Sequence, residues 1–164
     1  MDVSQYIHNL IYSYAECVDE GDFEALGTLF ARGSIAYAPS GLCLTGAAEI
    51  TGFFKKTVRL DPATGTPGTI HRVSNVILMA GEREWHARSR YEVTLISSEG
   101  RSEVVALGRY FDTFAVNAGD IHFQHRKVIS EFLADDDRHV RLPRASDNII
   151  NIERATAHSH SIPT

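Results

Sequence analysis

The sequence predicts a single α+β domain in which a curved, mostly antiparallel sheet packs against N-terminal helices. Three observations predict it. Apolar residues fall three and four apart up to about residue 58; from residue 69 they alternate; and the alternating runs are separated by turns too short for a crossover. The chain has 164 residues, enough for one domain with a sizeable core and too few for two.

Val3, Ile7, Leu10, Ile11, Tyr14 and Val18 form one apolar stripe, so residues 3–18 read as a one-sided helix ending near Asp19-Glu20-Gly21. Asp22 is placed to cap a second, short helix with Phe23, Leu26, Leu29 and Phe30 inward, ended near Gly33. Residues 34–46 read as a small hairpin turned at Pro39-Ser40-Gly41. Thr45 then caps a third helix that buries Ile50, Phe53, Phe54 and Val58, and DPATGTPG follows as a loop. Residues 69–79, 83–97, 102–116 and 120–133 read as strands, joined at Gly81, SSEG and NAGD and therefore antiparallel. The domain runs over residues 1–133. Residues 134–164, poor in apolar side chains, read as a tail, or as a pocket flap anchored by Ile149, Ile150 and Ile152.

The net charge of -5 is spread along the chain, which argues against nucleic acid or an anionic membrane as partner and favours a small molecule. The N-terminus lacks a basic, apolar signal pattern and no run approaches the ~20 apolar residues that span a bilayer, so a cytoplasmic protein is expected. Cys17 and Cys43 form no CxxC or disulfide framework and read as buried small apolar residues. No dinucleotide fingerprint, phosphate loop, nucleophile elbow or HExxH occurs, and no cofactor is expected. Of the eight histidines, His122 and His125 fall on opposite faces of a regular strand, and His158 and His160 lie in the tail, so no metal site is expected either.

Two polar residues stand out: Asp19 near a helix end, and His71 at a strand start. In a regular strand His71, Val73, Asn75 and Ile77 share a face. An imidazole there is either a core or rim histidine with its hydrogen bond satisfied, or a group in a cavity wall. The sequence separation of Asp19 and His71 does not say which.

The chain resembles the nuclear-transport-factor-2-like superfamily, in particular the group with SnoaL-like polyketide cyclases, scytalone dehydratase, bile-acid 7α-dehydratase and hexachlorocyclohexane dehydrochlorinase. The resemblance covers residues 3–133 and is carried by an ordered set of short motifs. These are Tyr14-Ala-Glu-Cys-Val-Asp19, Gly21-Asp22-Phe23, Leu29-Phe30, Thr45-Gly46 with Ile50 and Phe53-Phe54, Thr69-Ile70-His71 with Asn75, Gly108-Arg109-Tyr110-Phe111-Asp112, and Phe123 with Arg126. It implies a cone-shaped fold with a pocket between bent sheet and helices. It also implies a histidine and aspartate pair, His71 and Asp19, and a phenol, Tyr14, that polarises the substrate. Five residues on an ideal helix set Tyr14 about 140° from Asp19, so their sharing one pocket depends on how the helix ends. One departure is Ile121, where the family usually has tryptophan, and nothing in the resemblance fixes the roles of Arg126 or Ser130.

The activity so implied is a cofactor-independent dehydratase, isomerase or cyclase acting on a small apolar oxygenated ring compound such as a polyketide or steroid-like ketone. His71 would be the general base, oriented by Asp19. Phe53, Phe54, Asn75, Trp85 and Tyr91 are candidates for the substrate wall. Arg126 is a further candidate ligand, although a structural pairing with Asp112 is the stronger reading. The alternative is a non-catalytic relative, a binding protein or a subunit like the small one of ring-hydroxylating dioxygenases, with Asp19 and His71 apart or plugged. A limonene-type epoxide hydrolase would need an arginine and aspartate pair on a strand; EWHARSRYEV supplies Arg88 and Arg90 without the aspartate. A homodimer or homotrimer through the outer sheet face is expected by resemblance.

Overall fold

The computed structural model describes residues 2–134 apart from Pro39, Ser98 and Ala118. The tail or flap expected over 134–164 therefore lies, beyond Ala134, outside the described residues. Helix α1 spans Val3–Glu20, α2 Phe23–Leu29 and α3 Gly46–Thr57. The strands are β1 Ser34–Ala38, β2 Leu42–Thr45, β3 Thr69–Met79, β4 Glu84–Ile96, β5 Ser102–Asn117 and β6 Asp120–Leu133. Among the described residues no helix is long and apolar enough to cross a membrane.

The helix ends follow from local chemistry. The Asp2 carboxylate accepts from the Ser4 and Gln5 amides and the Asp22 carboxylate from the Ala25 amide, each relieving an amide that a first turn leaves unpaired. Gly21, at φ 73°, closes α1 in the left-handed conformation that costs glycine least, and its turn sends the chain back along α1. Thr45 departs from expectation: its side chain makes no cap bond, and Glu49 instead accepts from the Thr45 amide at 2.8 Å. This resembles the return bond of a capping box, made here from the fourth helical residue instead of the third and without the forward bond.

The six strands form one unclosed sheet in the order β2-β1-β6-β5-β4-β3. The four long strands are an antiparallel meander as the turns required, whereas β1 joins β6 in parallel and carries β2 as the edge. Bulges at Ser74/Ile77, Val93/Thr94, Leu107/Gly108 and Thr113/Phe114 bend it. The concave face packs on the helices through one core that includes Ile7, Ile11, Leu26, Phe30, Ile35, Ile50, Phe114 and Phe123, all fully buried.

The bulges also break the parity on which face assignments rest. On β3 the inward set runs Thr69, His71, Val73 and then Val76 and Leu78, with Asn75 in the left-handed region at φ 52°. Asn75 and Ile77 are thereby turned to the exposed side, away from His71. On β6 the inward set shifts from Ile121 and Phe123 to Arg126 and Val128, which leaves His122 and His125 both outside it, against the expectation of opposite faces. Cys43 is exposed and Cys17 half-buried, so neither is the fully buried thiol expected.

Candidate active site

Asp19 sits in the last turn of α1 and meets the start of β3. Its carboxylate takes three hydrogen bonds from that strand: Thr69 Oγ1 donates to Oδ1 at 2.8 Å, the His71 amide donates to Oδ2 at 2.7 Å, and His71 Nδ1 lies 2.5 Å from Oδ1. Burial works to raise the Asp19 pKa. The bonds and charge of His71, with Thr69, more than offset it and hold the carboxyl below its usual range. An ionised carboxylate only accepts, so Nδ1 carries the hydrogen and Nε2 the ring's basic lone pair. The His71 side chain is 8% exposed and that of Asp19 22%. His71 lines a cavity of about 90 Å³ between the sheet and the helices, and Asp19 stands behind it, outside the lining.

Tyr14 reaches the same cavity from about one turn earlier in α1, so it shares the lining with His71 despite its offset from Asp19 around the helix. Tyr37 on β1 lines the same cavity, and the two phenols act on each other's ionisation. The Tyr14 ring meets Tyr110 edge-on at 5.7 Å and Phe30 at 6.1 Å. Burial pushes the Tyr14, Tyr37 and Tyr110 phenols up, with the Arg126 cation pulling back in each case. These groups are neutral donors near pH 7. The remaining wall is largely apolar, with Phe53, Phe54, Val18 and Val93 among its members.

Six candidate residues named from the sequence thus meet at one place: His71, Asp19, Tyr14, Phe53, Phe54 and Tyr91, five of them in the lining and Asp19 behind it. Three do not, and each has a physical reason. Asn75 is carried to the opposite side of the sheet by the β3 bulge. Trp85 pairs in register with Phe114 six residues from Tyr91, roughly 20 Å along β4, and packs on the far end of the core. Arg126 is fully buried and bidentate to Asp112, with Nε and Nη2 each 2.7 Å from a carboxylate oxygen. Its guanidinium carbon lies 4.1 Å from the Tyr14 and Tyr110 ring centres and 4.9 Å from that of Phe123. It acts on the cavity through the Tyr14 and Tyr110 rings and through its charge, which reaches the Tyr14, Tyr37 and Tyr110 phenols.

Tyr37, Tyr110 and Ser130 line the cavity without having been assigned a place in it. Tyr110 lay within a quoted motif, two residues before Asp112, and period two alone puts it on the inward face. Tyr37 depends on the parallel pairing of β1 with β6, which no local pattern announces. Among the described residues no group of three or more His, Cys, Asp or Glu is placed to hold a metal ion.

Solved structures share this architecture. An NTF2-like protein with a cystatin-like fold from Novosphingobium aromaticivorans aligns with TM-score 0.65 at 20% identity, over 78% of this chain and 81% of that one. A candidate scytalone dehydratase from the same organism gives 0.62 at 24% identity, over 84% and 89%. The beta subunit of a candidate aromatic-ring-hydroxylating dioxygenase, also from that organism, gives 0.64 at 16% identity, over 86% and 100%. At these identities the likeness shows the fold. Among curated proteins none matches. The SnoaL-like domain model matches residues 3–127, which takes in α1 through the first half of β6 and with them Asp19 and His71, so this chain belongs to the SnoaL-like domain family.

Proposed function

We propose that this protein is a cofactor-independent lyase or isomerase, a dehydratase, isomerase or cyclase, acting on a small apolar oxygenated ring compound. The observation that carries the reading is the Asp19–His71 pair in the wall of an apolar cavity. Asp19 fixes the imidazole tautomer and stabilises the imidazolium that forms when Nε2 takes a proton. The proton removed is one next to a carbonyl or next to a carbon bearing a leaving group. Negative charge then builds on the substrate oxygen, and the Tyr14 phenol, which lines the cavity with Tyr37, is the donor for it. The apolar wall keeps water from competing for that oxygen. Loss of water, double-bond shift and ring closure all begin with this step.

The test needs no knowledge of the natural substrate. Deuterium uptake by cyclohexanone in heavy water, followed by proton NMR, reads α-proton abstraction directly. Wild-type protein should accelerate it, and His71→Ala should lower the rate by ~100-fold or more while circular dichroism shows the fold retained. No acceleration by wild type, or an active His71→Ala protein, removes the base.

A second reading takes the protein as a non-catalytic subunit, and its support is the likeness to a dioxygenase beta subunit together with the exposed apolar residues Ile70, Ile77, Leu107 and Phe111 on the strands. Under either reading we infer a cytoplasmic homodimer or homotrimer built through the outer sheet face, which sedimentation equilibrium would test.

A further inference from the structure

The cavity holds a polar feature that proton abstraction does not use. The Tyr91 hydroxyl lies 3.0 Å from Ser130 Oγ, although Tyr91 is on β4 and Ser130 on β6, with β5 between them. Reaching across a strand requires a gap in it. The residue facing both is Gly108, opposite Tyr91 on one side and Ser130 on the other. A Cβ there would stand 2.7 and 2.8 Å from Cε1 and Cζ of Tyr91 and 2.1 Å from the Ile129 carbonyl oxygen. Any other residue would lift the ring off Ser130. The ring is also held by stacking on Tyr110, centres 4.4 Å apart and planes 14° from parallel. Tyr91 and Ser130 both line the cavity, Tyr91 buried and Ser130 exposed at the opening.

Inward-facing residues form rows across the sheet. His71, Val93, Ala106 and Leu133 make one row; Tyr91, Gly108 and Ser130 the next; Tyr110, Val128 and Tyr37 a third. Successive rows are about 7 Å apart along the strands. The hydroxyl pair therefore stands one row from the phenol of Tyr37 and one row from the base. The cavity, at about 90 Å³, is on the scale of a single ring, since an apolar cavity of ~150 Å³ holds benzene.

Resting on the catalytic reading above, we propose that the substrate is monocyclic and carries two oxygen functions, one met by the Tyr14 and Tyr37 phenols and the other by the Tyr91–Ser130 hydroxyl pair. Tyr91 and Ser130 determine specificity, and Gly108 is a positioning residue. This is narrower than a polyketide or steroid-like ketone, because one ring takes up the enclosed space and a fused second ring would have to stand in the opening at Ser130.

Calorimetric titration of the full chain with cyclohexanone, 4-hydroxycyclohexanone and the two-ring 6-hydroxy-1-tetralone tests this. The two-oxygen monocycle should bind at least tenfold more tightly than either other compound. Ser130→Ala and Tyr91→Phe should each cut its advantage over cyclohexanone to less than threefold. Equal or tighter binding of the tetralone, no binding of either monocycle at millimolar concentration, an advantage that survives both substitutions, or a loss shared equally by both monocycles would overturn it. The measurement reads binding and not turnover, so it can fail while His71 proves to be the base, and succeed while His71 does not.

Discussion

Asp19→Asn is the substitution that separates orientation from mere proximity. The carboxylate faces three donors: Thr69 Oγ1, the His71 amide and His71 Nδ1. An asparagine that keeps its carbonyl in the Oδ1 place sets its NH2 against the His71 backbone amide, donor to donor; turned over, it accepts from that amide with its carbonyl but points its NH2 at Thr69 Oγ1 and at the Nδ1 hydrogen. The conflict is relieved if the imidazole changes tautomer so that Nδ1 accepts, which puts the hydrogen on Nε2 and ends its use as a base. A carboxylate-to-amide change behind a catalytic histidine costs ~10⁴-fold in serine proteases through this same fault, and ketone deuteration should fall by ~10² to 10⁴. About one charge-assisted hydrogen bond is lost, ~1.5–3 kcal/mol, or a melting temperature lower by roughly 5–15 °C for a domain of this size. The pH dependence has a definite sign. The folded pKa of Asp19 is below its unfolded value, so its contribution is complete above roughly pH 4 and disappears as pH falls through the lower folded value. The stability gap between wild type and Asp19→Asn should thus be level near neutrality and narrow in acid. A fully active Asp19→Asn protein would refute the tautomer argument.

Tyr14→Phe removes the oxyanion donor and should lower ketone deuteration by ~10², with the fold intact by circular dichroism. Asp112→Ala leaves Arg126 as an unpaired buried cation and should cost ~3–5 kcal/mol in urea unfolding; a loss under 1 kcal/mol would mean the pair is not the staple its geometry suggests. Asn75→Ala places an ordinary residue at φ 52° and should cost ~1–2 kcal/mol without changing deuteration, whereas Asn75→Gly should be nearly neutral in stability.

Periodicity revealed the elements whose one-sided burial is written into the chain: α1 and the four long strands. It failed where backbone geometry overrides side-chain spacing. A single left-handed residue in β3 sends Asn75 away from His71, and a bulge in β6 brings His122 and His125 to the same side. Neither has a proline or glycine to mark it. The parallel seam between β1 and β6 was equally silent, and with it the place of Tyr37, because a five-residue strand carries too little pattern to name its partner. Asp19 and His71 became a pair in the reading through family resemblance, since fifty-two positions separate them and only the packing of α1 against β3 brings the carboxylate to the strand.

The two acid–base pairs on the concave face make opposite demands, and the difference separates a site from a scaffold. Asp112 and Arg126 are joined by two parallel bonds, and aromatic rings cover the guanidinium. Neither residue lines the cavity, so their charge is spent within the protein. Asp19 is instead held by one strand through three donors, while the ring it orients lies in the cavity wall. A pair placed there is a poor way to gain stability, because desolvation of the carboxylate opposes what its hydrogen bonds supply. Three rows of the sheet, roughly 20 Å along the strands, separate the His71 row from that of Asp112 and Arg126. Stiffening the closed end with an ion pair buried among rings leaves the open end free to carry a histidine whose value is chemical, and it predicts that substitutions at Asp112 will register in stability before activity and those at His71 in activity before stability.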